Sequence, residues 1–343
     1  MILKSEINTH NATSLLEYLK ILDVFLHNHD YTEIVINQPY EVITQSHEGW
    51  TYHDMPLVDY EYCFNLAKLI ASYSKQKLDE NNPVISATLP YGQRIQIVIP
   101  PATKQGYVSI TIRQHSRHEI TLHDYEQQGF FKECRDFKQG LTDHDQQLIA
   151  LKQQGLIREF LELAVISKKN IIISGSTGSG KTTFLKSLLQ SIPQEERLIS
   201  IENVDELRLS QTHNNTVSLF YTAGGQGVSP LTQKELLQSS LRMKPDRIFL
   251  SELIRGEEAF YFLRNVNSGH PGSMTTMHAN SPKMAIEQLV LFLKEAGAGF
   301  NRQEAKELIL MCVDIIIQIH NVHGKRIITE IYYDPHQKHS ILA

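Results

Sequence analysis

The sequence predicts an α/β protein in which a smaller α+β domain precedes a C-terminal domain built on a parallel sheet. Two observations lead to this prediction. After residue 146, apolar runs of strand length alternate with amphipathic helical stretches, as in parallel strands connected by helices. Before residue 114, short strand-like segments are interrupted by two helical stretches. A chain of 343 residues is long enough for two domains that each bury a core.

The N-terminal domain, residues 1–113, has apolar residues at helical spacing over 14–26, and YCFNLAKLIASYS predicts a second helix. Three short strands are predicted around these helices, at 31–37, 41–44 and 49–52. Two alternating strands end the domain, at 93–99 and 107–113, separated by the turn residues of PPATKQG. In residues 114–145 polar side chains replace the apolar pattern, which predicts an inter-domain linker with one short helix.

The C-terminal domain, residues 146–343, opens with one long helical stretch, QQLIALKQQGLIREFLELAVIS. The apolar runs predict strands at 170–174, 198–202 and 247–251. Helices are predicted from Lys181 onward and over 232–241. The last two apolar segments, DIIIQIH and KRIITEIYYD, flank NVHGK and predict a hairpin.

The composition argues against several classes of protein. The chain has 33 Lys and Arg against 38 Asp and Glu, a formal net charge of -5, so we expect no sequence-specific nucleic-acid recognition. The three cysteines lack metal-ligand spacing, which favours reduced thiols in a cytosolic protein. The first residues are too polar for a signal peptide, and no apolar run has the length of a membrane span. We therefore expect a cytoplasmic protein whose association with a membrane is peripheral.

The stretch SGSTGSGKTT lies between a predicted buried strand and a predicted helix. It contains the P-loop pattern, in which backbone N–H groups and a helix N-terminus bind phosphates. Lys181 is expected to reach the β- and γ-phosphates, and the Thr182 hydroxyl to bind Mg²⁺. The residues predicted to bind the nucleotide are Gly175, Ser176, Thr177, Gly178, Ser179, Gly180, Lys181, Thr182 and Thr183. The sequence has no Asn-Lys-x-Asp, so the guanine-reading element of GTPases is missing.

Two glutamates follow apolar strands of the same predicted sheet. Glu202 ends LISIE, and Glu252 comes directly after IFLS. The carboxyl ends of parallel strands are where such sheets bind ligands. Glu252 matches a Walker B position, where a carboxylate orders Mg²⁺ or polarises the attacking water. For either glutamate alone, a helix cap or a surface ion pair is almost as good an interpretation; together they favour a site.

The segment SGHPGSMTTMHAN, residues 268–280, combines turn glycines, hydroxyls and two histidines. The residues alone allow two interpretations: a polar loop with incidental histidines, or a metal site. Metal binding has little support, because no cysteine or carboxylate accompanies the two histidines.

Together, these stretches resemble the secretion ATPase superfamily, and most closely the cytoplasmic traffic ATPase of type IV secretion systems. GSTGSGKTT resembles its Walker A motif, LISIENVDEL its Asp box, RMKPDRIFLSEL its Walker B motif and SGHPGSMTTMHAN its His box. NPVISATLPYGQRIQIVIPPAT and SITIR are similar to its N-terminal domain. The sequence departs from the family at Asn203, at Lys244, and by one extra residue between Glu252 and Arg255.

The resemblance implies a hexameric ring of two-domain subunits with a RecA-like C-terminal domain, binding ATP and Mg²⁺ between the domains. It assigns catalytic roles to Lys181, Glu202, Glu252 and His278. It assigns Mg²⁺ to Thr182 and Glu252, and nucleotide contacts from the N-terminal domain to Arg94 and Arg113.

The function expected from the resemblance is Mg²⁺-dependent ATP hydrolysis that powers pilus biogenesis, or export of DNA or protein, at the cytoplasmic face of the bacterial inner membrane. Its expected partners are other type IV secretion ATPases and inner-membrane components. One alternative is a type II secretion or type IV pilus motor, although the chain has no tetracysteine insertion. The other alternative is an ATP-gated assembly scaffold with little turnover.

Overall fold

The structure is a computed structural model that describes residues 9–115, 120–134, 140–222, 231–297 and 299–342. The chain forms two compact units. The first comprises Met1–Pro100 and Gln105–Gln139, and the second comprises Pro101–Lys104 and Gly140–Ala343. The main boundary between the units therefore falls inside residues 114–145, the predicted linker.

The first unit contains a six-stranded antiparallel sheet with the order β3-β2-β1-β6-β5-β4. Its strands are β1 (Glu33–Ile36), β2 (Glu41–Ser46), β3 (Gly49–Asp54), β4 (Val84–Thr88), β5 (Arg94–Val98) and β6 (Ser109–Arg113). Its helices are α1 (Thr9–Leu19), α2 (Asp23–Leu26), α3 (Tyr60–Tyr73) and α4 (Leu122–Gln127). Alternate isoleucines of β5 and β6 face the apolar core that the helices cover.

Two features of this unit differ from the sequence prediction. The single helix predicted over 14–26 is interrupted by a 3₁₀ turn, Lys20–Leu22, between α1 and α2. Strand β4 was not predicted, because VISAT mixes three apolar residues with two small polar ones and has no clear alternation. It forms because its backbone pairs with β5 along five residues, from Val84 opposite Val98 to Thr88 opposite Arg94.

The second unit contains a seven-stranded sheet with the order β13-β12-β7-β11-β10-β8-β9. Its strands are β7 (Ile171–Gly175), β8 (Leu198–Glu202), β9 (Thr216–Phe220), β10 (Arg247–Leu250), β11 (Met274–Met277), β12 (Ile315–Val322) and β13 (Lys325–Tyr333). All neighbouring pairs are parallel except β12 and β13, which form the predicted antiparallel hairpin. Its turn residues, His323 and Gly324, both have positive φ, as a type I′ turn requires.

The helices of this unit are α5 (Asp143–Gln153), α6 (Ile157–Ile166), α7 (Lys181–Leu189), α8 (Gln233–Ser240), α9 (Gly256–Val266), α10 (Pro282–Glu295), α11 (Arg302–Cys312) and α12 (Pro335–Leu342). The long helix predicted at the start of the domain is two helices, because the chain turns at Gly155 with φ +73°. In the described part of the chain, no helix is long and apolar enough to span a membrane.

Strands β9 and β11 were also missed by the sequence prediction. Strand β11 lies in the middle of residues 268–280, and its sequence MTTM places two threonines inside the sheet. The Thr276 hydroxyl can be buried because it donates a hydrogen bond to the Ser251 carbonyl at 2.7 Å. Strand β9 extends the sheet beyond β8, and Pro101–Lys104 lies against it, with Phe220 N–H donating to the Ala102 carbonyl.

A buried ion pair lies at the amino ends of these parallel strands. Arg247, fully buried at the start of β10, donates two hydrogen bonds to the Glu196 carboxylate at 2.7 and 2.8 Å. A third hydrogen bond joins Arg247 to the Val165 carbonyl at 2.7 Å. Gly272 lies so close that a Cβ there would be 2.8 Å from the guanidinium. The pair thus connects β10, the end of α6 and the turn before β11.

We predict that Glu196→Ala lowers the free energy of unfolding by about 3–5 kcal/mol, because it leaves the Arg247 charge buried without its partner. Glu162→Ala is the matched control, since Glu162 pairs with an exposed arginine on α6 and such pairs contribute about 0–1 kcal/mol. Urea unfolding of both variants measures the difference. Equal, small effects would show that the buried pair does not stabilise the fold.

Candidate nucleotide-binding site

The carboxyl ends of β7, β8, β10 and β11 lie at one edge of the second unit's sheet, which is where parallel sheets bind ligands. A cavity of about 840 Å³ lies at this edge. The predicted site residues that line it are Thr177, Gly178, Gly180, Lys181, Thr182, Thr183, Glu252 and His278. The ends of β7, β10 and β11 therefore contribute predicted site residues to the cavity wall.

The three glycines of the P-loop are required for different reasons. Gly178 and Gly180 have φ of +75° and +93°, a region that disfavours other residues. Gly175 is needed for close approach, because a Cβ there would be 2.5 Å from the Ile319 carbonyl of β12. Gly180 is also the residue before α7, so the loop leads directly into a helix N-terminus that favours anions.

Lys181 occupies the centre of this edge. Its side chain is only 8% exposed, and its Nζ donates to the Gly175 and Ser176 carbonyls, both at 3.1 Å. The same nitrogen lies 3.3 Å from His278 Nδ1 and 4.0 Å from Glu252 Oε1. Burial lowers the Lys181 pKa, and the Glu252 charge opposes that shift.

His278 joins Lys181 to Glu252, since its Nε2 lies 2.9 Å from Glu252 Oε1. An ammonium can only donate and a carboxylate can only accept. His278 Nδ1 therefore accepts from Lys181, and Nε2–H donates to Glu252, which defines a neutral tautomer. We call these three side chains the Lys–His–Glu cluster. The other histidine of the segment, His270, precedes β11 at the opposite end of the strand.

Two buried side chains hold this cluster in place: the amide of Gln318 and the hydroxyl of Thr276. The sequence analysis did not predict either contact. Gln318 of β12 is fully buried; it accepts from the Ser174 hydroxyl and donates to the Ala279 carbonyl at 3.0 Å. It thus connects the end of β7 to the residue after His278. The sequence DIIIQIH did indicate a buried polar contact, because Gln318 interrupts an otherwise apolar strand. Thr276, described above, connects β11 in the same way to the loop that carries Glu252.

Glu202 is fully buried, and it is not among the residues that line the cavity. Its carboxylate accepts from the Ser200 hydroxyl at 2.6 Å and from the backbone N–H groups of Glu206 and Leu207 at 2.9 and 2.8 Å. Burial raises the Glu202 pKa, and these hydrogen bonds oppose the shift. Glu202 therefore holds the loop that places Asn203 and Glu206 on the cavity wall. Its catalytic role remains a prediction.

The positions that depart from the family pattern lie in different places. Asn203 and Arg255 line the cavity. The backbone N–H of Arg255 donates to the Glu258 carboxylate at 3.0 Å, which fixes the loop despite its extra residue. Lys244 precedes β10, at the end of the strand away from the cavity, and its Nζ lies 3.9 Å from Asp246 Oδ1.

Arg94 and Arg113 belong to the first unit, where they are paired neighbours on β5 and β6. Both are exposed, and Arg113 Nε lies 3.7 Å from Glu33 Oε1. The register therefore places two guanidinium groups side by side on one sheet. Their contact with a nucleotide remains a prediction.

Among the residues that the structure describes, no group of three or more His, Cys, Asp or Glu side chains could hold a metal ion. Thr182 and Glu252 nevertheless both line the cavity. A hydroxyl and a carboxylate are oxygen ligands of the kind that Mg²⁺ takes together with substrate phosphates and water. The donor set therefore fits Mg²⁺ bound with a nucleotide.

A P-loop on an interior strand of a mainly parallel sheet, with a histidine and a carboxylate at the ends of the next two strands, defines a RecA-like P-loop ATPase domain. The family model of "Type II/IV secretion system protein" matches residues 61–320, more than half of the chain. The chain therefore belongs to this family, and the α/β fold predicted from the sequence is confirmed.

The similar proteins specify the family further. The type IV secretion system protein VirB11 of Bartonella henselae is 44% identical over 342 residues, 96% of this chain and 95% of that protein. VirB11 of Brucella suis is 41% identical, over 99% of this chain and 96% of that protein. The crystal structure of the VirB11 ATPase from the Brucella suis type IV secretion system, in complex with sulphate, matches with a TM-score of 0.92 and 41% identity, over 98% of this chain and 99% of that one. The resemblance inferred from the sequence motifs is confirmed.

If Glu202 acts by positioning its loop, Glu202→Ala should speed amide exchange at Glu206 and Leu207 by roughly ten- to a hundredfold. Both backbone N–H groups donate to the same carboxylate oxygen, so the substitution leaves both without an acceptor, and an unsatisfied buried group costs about 1–3 kcal/mol. Ser200→Ala is the matched control, since it removes a donor to the same carboxylate and leaves both backbone contacts. Hydrogen-exchange mass spectrometry measures the effect. Unchanged exchange together with lost turnover would instead assign Glu202 to the chemical step.

Proposed function

We propose that this protein is a Mg²⁺-dependent ATPase that powers a type IV secretion system. The observation that carries the proposal is the Lys–His–Glu cluster beside the P-loop, in a chain similar to VirB11 over almost its whole length. A P-loop alone would also suit a kinase or another nucleotide-binding protein. A histidine hydrogen-bonded to the P-loop lysine, and a carboxylate paired with that histidine, supply the groups that hydrolysis needs.

The geometry indicates how the cluster responds to ATP. Lys181 donates to two carbonyls and to His278 before a phosphate arrives. Phosphate oxygens are charged acceptors and form stronger hydrogen bonds than carbonyls, so we infer that Lys181 transfers its donors to them. His278 then loses its donor at Nδ1 and turns toward the γ-phosphate, whereas Glu252 is released to orient the attacking water. Thr182 and Glu252 are the residues that would hold Mg²⁺, and the ion would neutralise phosphate charge.

We further propose that six copies form a ring at the cytoplasmic face of the inner membrane, beside other secretion ATPases and inner-membrane components. Support comes from membership of the family and from the whole-length similarity to a type IV secretion system protein. The same similarity favours a type IV system over a type II secretion or pilus motor. The mass of the purified particle with and without nucleotide tests the ring: six subunits are expected, and a monomer in both states would contradict it.

Two substitutions test the catalytic assignment by phosphate release and ATP binding. Lys181→Ala should lower turnover roughly 100-fold or more, because the transferred phosphoryl group loses its cationic contact. Glu252→Gln has the same shape, so we expect ATP binding to persist while turnover falls roughly 100-fold. Lys186→Ala, on the same helix as Lys181 but outside the cavity, is the control. Near wild-type turnover in both site variants would refute the assignment. Slow turnover in the wild-type protein would favour the scaffold alternative.

The proposed contact of Arg94 and Arg113 with ATP has its own test. Each guanidinium can bind phosphate oxygens through a charge-assisted fork. Arg94→Ala and Arg113→Ala should therefore each raise the KM for ATP roughly tenfold, since hydrogen bonds to charged groups contribute about 1.5–3 kcal/mol. Arg158→Ala removes an exposed arginine of α6 and should leave KM unchanged. If all three variants behave alike, the N-terminal domain does not contribute to the nucleotide site.

A further inference from the structure

The loop that carries Glu252 is attached on one side to β11. The Ser251 carbonyl accepts from the Thr276 hydroxyl at 2.7 Å, and the Leu253 N–H donates to the Thr276 carbonyl at 2.8 Å. Strand β11 is followed directly by His278. These contacts therefore fix the residues on both sides of Glu252 to the strand that leads to its partner in the Lys–His–Glu cluster.

The same loop is attached on its other side to α9, through the half-buried side chain of Glu258. One carboxylate oxygen, Oε2, accepts from the backbone N–H groups of Ile254 and Arg255, both at 3.0 Å. This is the segment that contains one residue more than the family pattern. Helix α9 is itself packed tightly on α10, because a Cβ at Gly256 would lie 2.3 Å from the Phe292 carbonyl. Glu258 thus holds the longer loop to a closely packed helix.

Gln233 of α8 supports Glu258, and both residues line the nucleotide cavity. Gln233 is only 3% exposed. A carboxylate accepts hydrogen bonds and cannot donate them, so the Gln233 amide nitrogen faces Glu258 and donates to its two oxygens at 3.1 and 3.3 Å. In the opposite orientation, the same nitrogen lies 3.4 Å from the Glu252 carbonyl. The amide therefore lies between the carboxylate that holds the loop and the backbone of Glu252.

We propose that Glu258, supported by Gln233, is a positioning residue that keeps Glu252 directed into the cavity during ATP hydrolysis. This inference rests on the proposed ATPase function. On that mechanism, ATP releases the Glu252 carboxylate from His278. The backbone contacts that Glu258 makes do not involve Lys181 or His278, so they persist after this release. The direction of the Glu252 side chain is then set by the backbone of its loop.

The competing role for Glu258 is a chemical one, since a carboxylate in the cavity could also bind Mg²⁺ or activate water. Glu258→Gln separates the two roles. The introduced amide has an oxygen that accepts from both backbone N–H groups, and its nitrogen donates to Gln233 once the Gln233 amide turns over. The same amide has no negative charge and is not a base. Glu258→Gln therefore keeps the positioning contacts and removes the chemical role.

The test is steady-state ATP hydrolysis by the full chain, with kcat and KM measured separately. Glu258→Ala should lower kcat roughly ten- to a hundredfold with little change in KM, because displacing a reacting group by about 1 Å can cost two orders of magnitude. Glu258→Gln should retain most of the wild-type kcat, and Gln233→Ala should lower it by a smaller factor than Glu258→Ala. Glu257→Ala is the matched control: Glu257 also joins α9 to α8, through Lys234 at 3.1 Å, but it is exposed and lies outside the cavity.

A second measurement determines whether Glu258 acts through Glu252. In a Glu252→Gln background, the addition of Glu258→Ala should cause little further loss of turnover, because side chains that act as a unit have non-additive effects. Release of radiolabelled phosphate measures the low residual rates. A further loss as large as that in the wild-type background would show that Glu258 acts independently of Glu252, which overturns the proposal.

The remaining outcomes also decide the matter. Equal losses of kcat in Glu258→Gln and Glu258→Ala would assign Glu258 a chemical role and overturn positioning. Wild-type kcat in Glu258→Ala would overturn it as well. If thermal unfolding shows that Glu258→Ala does not fold, Gln233→Ala decides, and an unchanged kcat there overturns the proposal. If the folded wild-type protein does not hydrolyse ATP, the proposed ATPase function itself fails.

Discussion

The site depends on how a buried ammonium group is compensated. Lys181 is almost fully buried, and a buried charge is costly unless it is paired and hydrogen-bonded. Its partners come from three different strand ends: P-loop carbonyls after β7, Glu252 after β10 and His278 after β11. The parallel order of these strands brings the partners to one edge, and Gln318 and Thr276 fix the connecting loops.

This arrangement makes the site responsive to an anion. Lys181 donates to His278, and His278 donates to Glu252. A phosphate that accepts the hydrogen bonds of Lys181 therefore changes the partners of His278 and Glu252 as well. Those side chains lie on separate loops, each joined to a different strand of the sheet. On the proposed mechanism, ATP therefore binds two arrangements of these loops with different affinity, and only such a difference allows a ligand to shift a conformational equilibrium.

The parts of the structure that local sequence determines were predictable. The P-loop follows from glycine spacing between an apolar strand and a helix, and the final hairpin follows from two apolar runs around His323 and Gly324. The missed features depend on long-range pairing. Strand β11 reads MTTM, and only its neighbours β7 and β10 make it a buried strand. Gln318 reaches the site only through the register of β12 against β7.

On the proposed mechanism, His278 accepts from Lys181 at Nδ1, and a bound nucleotide ends this contact. Nitrogen-15 NMR of the imidazole side chains measures it most directly, with the His278 signals assigned by their loss in His278→Gln. In the nucleotide-free protein, we expect an Nε2–H tautomer with Nδ1 hydrogen-bonded. We expect the Nδ1 shift to change when a non-hydrolysable ATP analogue and Mg²⁺ are added. An Nδ1–H tautomer in the free protein, or signals that do not respond to the bound analogue, would contradict it.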